Sequence, residues 1–410
     1  MTASDGEVYA SDPITVDDND YWMVQLKDDL HLETQLVGPG YTVDVINTGS
    51  SGVVNTIRLV DVAFGDVWFC SGQSNMEWRI KSVRNAAAEI TVTTDYKDIR
   101  LLKVVREVAM EPVSEPLGYL SQWTEPTQEF LWDESFSAIC LMFGEQIHDE
   151  IGVPIGLIDS SWGGTNIEAW MPPETLAECG VTDNGNGNGK NHNSYLWNAM
   201  VHPFTRLAIK GALWYQGENN AGYENSEYRG HNRHLYECNF AGLIESWRRY
   251  WDRNLLYDTS FLFPFGFVQL GPYTQQTTYL AWPEVRWMQT RVSENVTNVF
   301  MAVTVDDDFD LHPKNKRLPA TRLGWAAANK VYSLERPGAG PEVISVVWGN
   351  DTGMNSVTIR FSEYLTWSWQ EGDTPFTPFH LCCMETMEDC DQVWSRKFRN
   401  LHISILNAFS

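Results

Sequence analysis

No stretch of the chain reaches the roughly 18 consecutive apolar residues that span a bilayer, so no membrane-crossing helix is expected. Basic residues are scarce. There are 29 Lys and Arg against 54 Asp and Glu, a formal net charge of −25. Binding a nucleic-acid backbone needs a basic surface, so that partner is not expected. An anionic small substrate stays possible, because a few local arginines override the global field. The first residues, Met1 to Gly6, have no basic n-region and no apolar h-region, so this stretch does not read as a signal peptide. Cysteine is sparse, at seven in 410 residues. No pair has Cys-x-x-Cys zinc spacing, and no histidine cluster accompanies Cys382, Cys383 and Cys390. Disulfides fit better than a metal, with one thiol left over because seven is odd. Two glycosylation sequons, Asn295-Val296-Thr297 and Asn350-Asp351-Thr352, lean toward the same oxidising, secretory setting.

What is present describes a folded protein. Hydrophobic residues make up 43% and charged residues 20% of the chain, a globular and not a disordered balance. The length suits one large α/β domain with smaller flanking segments. Aromatics are abundant, with 18 Trp, 16 Tyr and 18 Phe. Most must fill the core, and some could line a groove that stacks on sugar rings.

Residues 1–63 read as a partial β region, with strands expected at Tyr21 to Leu26, Tyr41 to Ile46 and Val53 to Val62. Residues 64–335 alternate strand and helix. Strands are expected at Val67 to Cys70, Ile99 to Val105, Ile155 to Asp159, Gly211 to Tyr215, Phe265 to Leu270 and Val299 to Val305. Helices are expected at Ala138 to Ile151, Tyr236 to Tyr250 and Pro313 to Tyr332, from apolar residues at helical spacing. Such alternation predicts a doubly wound parallel sheet, whose sites form beyond the carboxyl ends of the strands. Residues 106–135 and 177–195 read as long irregular excursions. Residues 336–410 return to β character, with no clear assignment from Asn400 onward.

Four of these strand ends carry chemistry. Val67 to Cys70 runs into Ser71-Gly72-Gln73-Ser74-Asn75-Met76, a corner that would push the Ser74 hydroxyl out of the sheet. The pattern is not Gly-x-Ser-x-Gly, so the α/β-hydrolase elbow does not apply. Ile155 to Asp159 runs into Ser160-Ser161-Trp162-Gly163-Gly164, where glycines allow a backbone N–H close to a ligand. Gly211 to Tyr215 runs into Gln216-Gly217-Glu218-Asn219-Asn220. Val299 to Val305 runs into Asp306-Asp307-Asp308-Phe309-Asp310-Leu311-His312-Pro313. Each segment alone is an ordinary turn, cap or solvated loop. Together, at one edge of one sheet, they supply a serine, backbone donors, amides and an Asp/His pair.

These segments, with Leu196-Trp197-Asn198-Ala199-Met200-Val201-His202-Pro203 and Ile167-Glu168-Ala169-Trp170, resemble the sialate O-acetylesterases of the SGNH-hydrolase superfamily. The resemblance runs from about Trp22 to Tyr332. It implies a flavodoxin-like, doubly wound sheet and a serine esterase that removes O-acetyl groups from sialic acids. No metal or organic cofactor is implied, and the setting would be lysosomal or extracellular. It also implies that a leader and the family's first strands lie outside this chain, which would make it a truncated or divergent member. By carry-over, Ser74 is the expected nucleophile and His312 the general base. A backbone N–H of Gly163 or Gly164, with a side-chain amide from Gln216 or Asn219, would join the Ser74 N–H as the oxyanion hole. The superfamily often places the supporting acid three residues before the histidine, but that position is Phe309. Asp310, two before, is the expected acid, with Asp306 and Asp307 as alternatives. Arg286 is expected to meet the substrate carboxylate, or else to form a structural ion pair. Pro319 would interrupt the helix after His312 and bend it, at about 3 kcal/mol if interior. Two other functions stay open: an acetylesterase on other carbohydrates such as acetylated xylan, and a catalytically weak glycan-binding relative.

Overall fold

The computed structural model describes residues 38–48, 54–134, 136–185, 189–222, 230–254, 260–273, 281–308, 310–337, 343–351, 354–361 and 401–407. Its strands are β1 (Gly38–Thr48), β2 (Val54–Phe64), β3 (Asp66–Gly72), β4 (Ile99–Val104), β5 (Tyr119–Thr124), β6 (Ile155–Ser161), β7 (Gly211–Tyr215), β8 (Phe265–Val268), β9 (Val299–Ala302), β10 (Val343–Asp351), β11 (Met354–Phe361) and β12 (Leu401–Asn407). The α-helices are α1 (Ser74–Glu77), α2 (Ala86–Thr93), α3 (Gln128–Asp133), α4 (Ala138–Ile151), α5 (Pro173–Glu178), α6 (Glu218–Ala221), α7 (Tyr236–Asn254), α8 (Ala281–Asn295) and α9 (Arg317–Tyr332).

The central sheet has seven strands in the order β5-β4-β6-β3-β7-β8-β9. All its pairings are parallel except β4 with the edge strand β5. β3, the first of these strands in the chain, lies between β6 and β7, so the winding changes direction beside it. Crevices at such switch points are where doubly wound sheets place ligands.

The central strands are near-continuous apolar runs because both faces of the sheet are covered. Successive residues of a strand face opposite sides. Trp68 meets Phe143 of α4 and Phe300 edge to face. Its neighbour Phe69 meets Trp247 and Trp251 of α7 on the other side. α4 packs against α9, and α7 against α8. Six tryptophans, Trp68, Trp170, Trp197, Trp214, Trp247 and Trp251, are fully buried, so much of the aromatic content is core. β1 and β2 form an antiparallel hairpin. β10, β11 and β12 form a three-stranded sheet in which β12 runs parallel to β11. No helix among the described residues is long and apolar enough to cross a membrane.

Several expectations need correction. The 106–135 excursion contains β5 and α3, and β5 has too few buried residues to show a core pattern. Helix α8 was not expected, because Pro283 and a mixed surface break its periodicity. The last helix begins at Arg317 and not at Pro313. Pro319 therefore sits in its first turn, where the backbone N–H has no helical partner to lose. There it removes no helical hydrogen bond, so the reason for expecting a bend is gone. The Asn400 onward segment supplies β12. The expected strand at Tyr21 to Leu26 and the cysteines Cys382, Cys383 and Cys390 lie outside the described residues. The other four cysteines form two disulfides, Cys70–Cys140 and Cys179–Cys238.

Candidate active site

The site lies beyond the carboxyl ends of β3, β6 and β7. Gly72 ends β3 with φ of 137°, and a Cβ there would run into the Tyr215 backbone. Glycine thus lets β3 and β7 stay paired to the last residue. The Gln73 N–H donates to the Tyr215 carbonyl at 3.0 Å, and the Trp162 N–H to the Gly72 carbonyl at 3.0 Å. Ser74, the next residue, is held between two strands at the first position of α1. That helix is one turn long. Its dipole is correspondingly small, and the support for negative charge expected from a helix N-terminus must come from individual donors.

His312 arrives from the β9–α9 segment, 238 residues further along, and its Nε2 lies 2.8 Å from Ser74 Oγ. The Trp78 indole stacks on the imidazole, with centroids 5.0 Å apart and planes 18° from parallel. Burial, and then the nearby Lys316 ammonium, hold the imidazole pKa below its ordinary value, while Asp310 and Glu77 act in the opposite direction. Asp310 does not bond the ring: its carboxylate accepts the His312 backbone N–H at 3.3 Å. Among the described contacts neither alternative acid bonds the ring. Both Asp306 carboxylate oxygens pair with Arg322, each at 2.6 Å. Asp307 accepts the Asp308 N–H at 2.8 Å.

Gly163 lies against the nucleophile, with the Cβ position of a substituted residue 3.2 Å from Ser74 Cβ. Its N–H donates to the Glu77 carboxylate at 2.5 Å. Glu77 also pairs with Arg106 at 2.9 Å. Lys190 donates to the Gly163 carbonyl at 2.6 Å, and Asn191 to the Gly164 carbonyl at 3.0 Å. The two candidate amides differ. Gln216 is fully buried, and its NH₂ donates to the Thr165 carbonyl at 3.1 Å and to Asn220 Oδ1 at 2.7 Å. With both hydrogens engaged, Gln216 braces the turn and has no donor left for an oxyanion. Asn219 donates one amide hydrogen to Asn166 and retains the other.

Arg286 stands on α8, next to Val285, which packs under Gly217. Its Nε is buried with no hydrogen-bond partner among the described residues, and burial lowers its pKa. No described contact links it to Ser74 or His312. His202 bonds the Val113 carbonyl at 2.8 Å, away from the pair.

Sequence reasoning missed the residues packed under and beside the pair. Asn75, Glu77 and Trp78 were in view in the segment after Ser74, but one-turn spacing gave no reason to rank them. Lys316 sits in Lys314-Asn315-Lys316-Arg317, which has the composition of a solvated basic face, yet it is 1% exposed. Among the described residues no group of three or more His, Cys, Asp or Glu could hold a metal ion.

A doubly wound parallel sheet with a serine and a histidine in contact beyond its switch point, and without the α/β-hydrolase elbow, is the architecture of an SGNH-type serine hydrolase. Residues 64–324 match the carbohydrate esterase family of sialic acid-specific acetylesterases. The chain belongs to that family. It is 37% identical over 353 residues to the sialate O-acetylesterase of Homo sapiens, covering 80% of this chain and 64% of that protein. It is 34% identical over 362 residues to the Mus musculus enzyme of the same name, covering 76% and 65%. The chain thus spans just under two thirds of the length of these relatives. Among solved structures it is similar to a carbohydrate acetylesterase from Xanthomonas citri, with TM-score 0.63 and 27% identity over 75% of this chain and 65% of that one.

Proposed function

We propose that this protein is a serine esterase that hydrolyses O-acetyl esters of sialic acids. The observation that carries the reading is the 2.8 Å contact between His312 Nε2 and Ser74 Oγ. The family of relatives supplies the substrate class. Ser74 Oγ attacks the acetyl carbonyl carbon while His312 takes its proton. The tetrahedral intermediate collapses, and His312 returns the proton to the departing sugar hydroxyl. Water, deprotonated by the same histidine, then cleaves the acetyl-enzyme and releases acetate. Trp78 orients the ring by stacking. Asp310 supports the imidazolium through charge and through the loop backbone, in place of a hydrogen bond to the ring.

For the oxyanion, the Ser74 N–H, the Gly163 N–H and the remaining Asn219 amide hydrogen are the proposed donors. The Gly163 donor already faces an anion, the Glu77 carboxylate, which must shift for it to serve the substrate. Arg286 is the proposed partner for the sialate carboxylate, since a buried guanidinium with an unsatisfied Nε favours an anionic ligand. The two disulfides, and the exposed Asn295 of the first sequon, support a lysosomal or extracellular address.

The test is acetate release from 9-O-acetyl sialic acid and from acetylated xylan. The expected result is release from the sialate that falls at least about 10³-fold in Ser74→Ala. Preference for xylan would redirect the substrate to neutral sugars. Release that survives the loss of Ser74, or no release at all, would sink the esterase reading.

A further inference from the structure

Beneath the Ser74–His312 pair lies a buried polar cluster that the reaction scheme does not use. Lys316 Nζ donates to Asn75 Oδ1 at 2.6 Å. The Asn75 amide donates to Glu218 Oε1 at 2.5 Å and to the Leu311 carbonyl at 2.9 Å. Asn75, Glu218 and Lys316 are each no more than 2% exposed. Glu218 Oε2 is buried with no hydrogen-bond partner among the described residues. Lys316 also lies over the rings of Trp78, at 5.7 Å, and Tyr215, at 5.5 Å. Trp78 is the ring that stacks on His312.

The connectivity matters more than the individual bonds. Asn75 immediately follows the nucleophile, Leu311 immediately precedes the base, and Lys316 is four residues beyond it. A single carboxamide therefore ties the turn of Ser74 to both sides of His312, two segments that meet only through tertiary structure. We propose that Asn75 and Lys316 are positioning residues, a buried strut that fixes the segment carrying His312 against the turn carrying Ser74.

The cluster has an electrical side as well. Burial brings Lys316 down to about 7, against the raising effect of Glu218, Asp307 and Asp310. Burial pushes the Glu218 carboxyl up. The charged and titratable groups around the ammonium are Glu218 and Tyr215 from the β7 side, and Asp307, Asp310 and His312 from its own approach; Glu77 from α1 acts on His312. In its charged form Lys316 opposes protonation of His312, which keeps the base able to accept a proton. Removing that charge raises the imidazole pKa, so more of the base is protonated in mild acid and the acidic limb of the rate profile moves to higher pH.

The inference rests on the esterase reading, and the experiment separates the two. Full-length wild type, Lys316→Met, Lys316→Arg and Asn75→Ala are assayed on 4-nitrophenyl acetate across pH. A fluorophosphonate probe reports Ser74 reactivity independently, and thermal melting reports folding. Lys316→Met is expected to lower kcat about 10²-fold, the scale of a displaced general base, with KM little changed. Its acidic limb should move to higher pH. Lys316→Arg should keep the limb in place, and Asn75→Ala should lower kcat and the labelling rate together. If Lys316→Met does not fold, Asn75→Ala and Lys316→Arg carry the test. Folded variants with wild-type kcat and an unmoved limb would overturn the inference. So would losses that merely follow a lowered melting temperature. A wild type that neither hydrolyses the ester nor labels at Ser74 would overturn the esterase reading, and the strut's catalytic role with it.

Discussion

Beside Ser74, one backbone N–H and one carboxylate face each other. The Gly163–Glu77 contact puts a negative charge close to where an ester carbonyl would develop its own. Glycine at 163 leaves room beside the turn of Ser74. A Cβ would stand 2.9 Å from Glu77 Oε2 and 3.2 Å from Ser74 Cβ. Glu77 Oε2 ends a flexible side chain and can swing aside, whereas Ser74 Cβ is fixed to the backbone and must give by a few tenths of an ångström. Gly163→Ala is therefore expected to reduce kcat by about 10-fold, less than a full 1 Å misplacement would cost. Its melting temperature should stay close to wild type, since the turn is on the surface side of the sheet edge. Steady-state kinetics beside a melting curve checks this, and an unchanged kcat would mean that the Gly163 position is not coupled to the nucleophile. Lys316 and Asn75 belong at this scale too. They show why the Ser74–His312 pair was legible in the sequence while the residues packed under it were not. Ser74 and His312 sit at strand ends, where residue type and position coincide. Their support is a matter of which buried side chains meet, and only the fold brings residues 75, 218, 311 and 316 together.

Among the elements, the two disulfides fasten different things. Cys70–Cys140 joins β3 to α4, and both cysteines are fully buried. Cys179–Cys238 joins the end of α5 to α7, where Cys238 is exposed. In the chain-entropy account, sequence separations of 70 and 59 residues are worth about 4 kcal/mol each. Mild reductant should open Cys179–Cys238 first. Alkylation followed by mass spectrometry should find labelled Cys238 while Cys70 stays blocked, and early labelling of Cys70 would contradict the burial. The elements that position the site were readable in advance. β7 and α4 match their expected bounds, and β3, β4, β6, β8 and β9 differ by a few residues at their ends. Buried parallel strands are continuous apolar runs, and that pattern survives in any context. β5 and α8 were missed because each is covered on one side at most. Their sequences therefore keep surface composition, and tertiary packing decides their form. The same logic misjudged Pro319: in the first turn of a helix a missing N–H costs little, and only the observed start at Arg317 reveals that position.

For the molecule as a whole, buried carboxyls set a direction for acid stability. Burial raises the Asp159, Glu168 and Glu218 carboxyls. Between the ordinary carboxylate range and those raised values, the folded chain holds protons that the unfolded chain releases. Stability therefore falls as pH rises through that window. Two groups act in the opposite direction: His312, lowered by burial, as pH rises toward the ordinary imidazole value, and Lys316, lowered to about 7, above that value. Repulsion within a net charge of −25 adds to the first trend. The melting temperature should thus fall as pH rises above the ordinary carboxylate range, with added salt lessening the fall by screening only the repulsion. Scanning calorimetry across that range checks it, and a melting temperature that climbs from the start would count against it. The distance along the chain between nucleophile and base has a different consequence. Chains fold as they are made, amino-terminal parts first. Ser74 and the strand beneath it emerge early, whereas His312 and Lys316 emerge after β9, the last strand of the central sheet. A growing chain carries Ser74 without its histidine partner through most of its synthesis, and the pair can form only once the last strand of the central sheet is made.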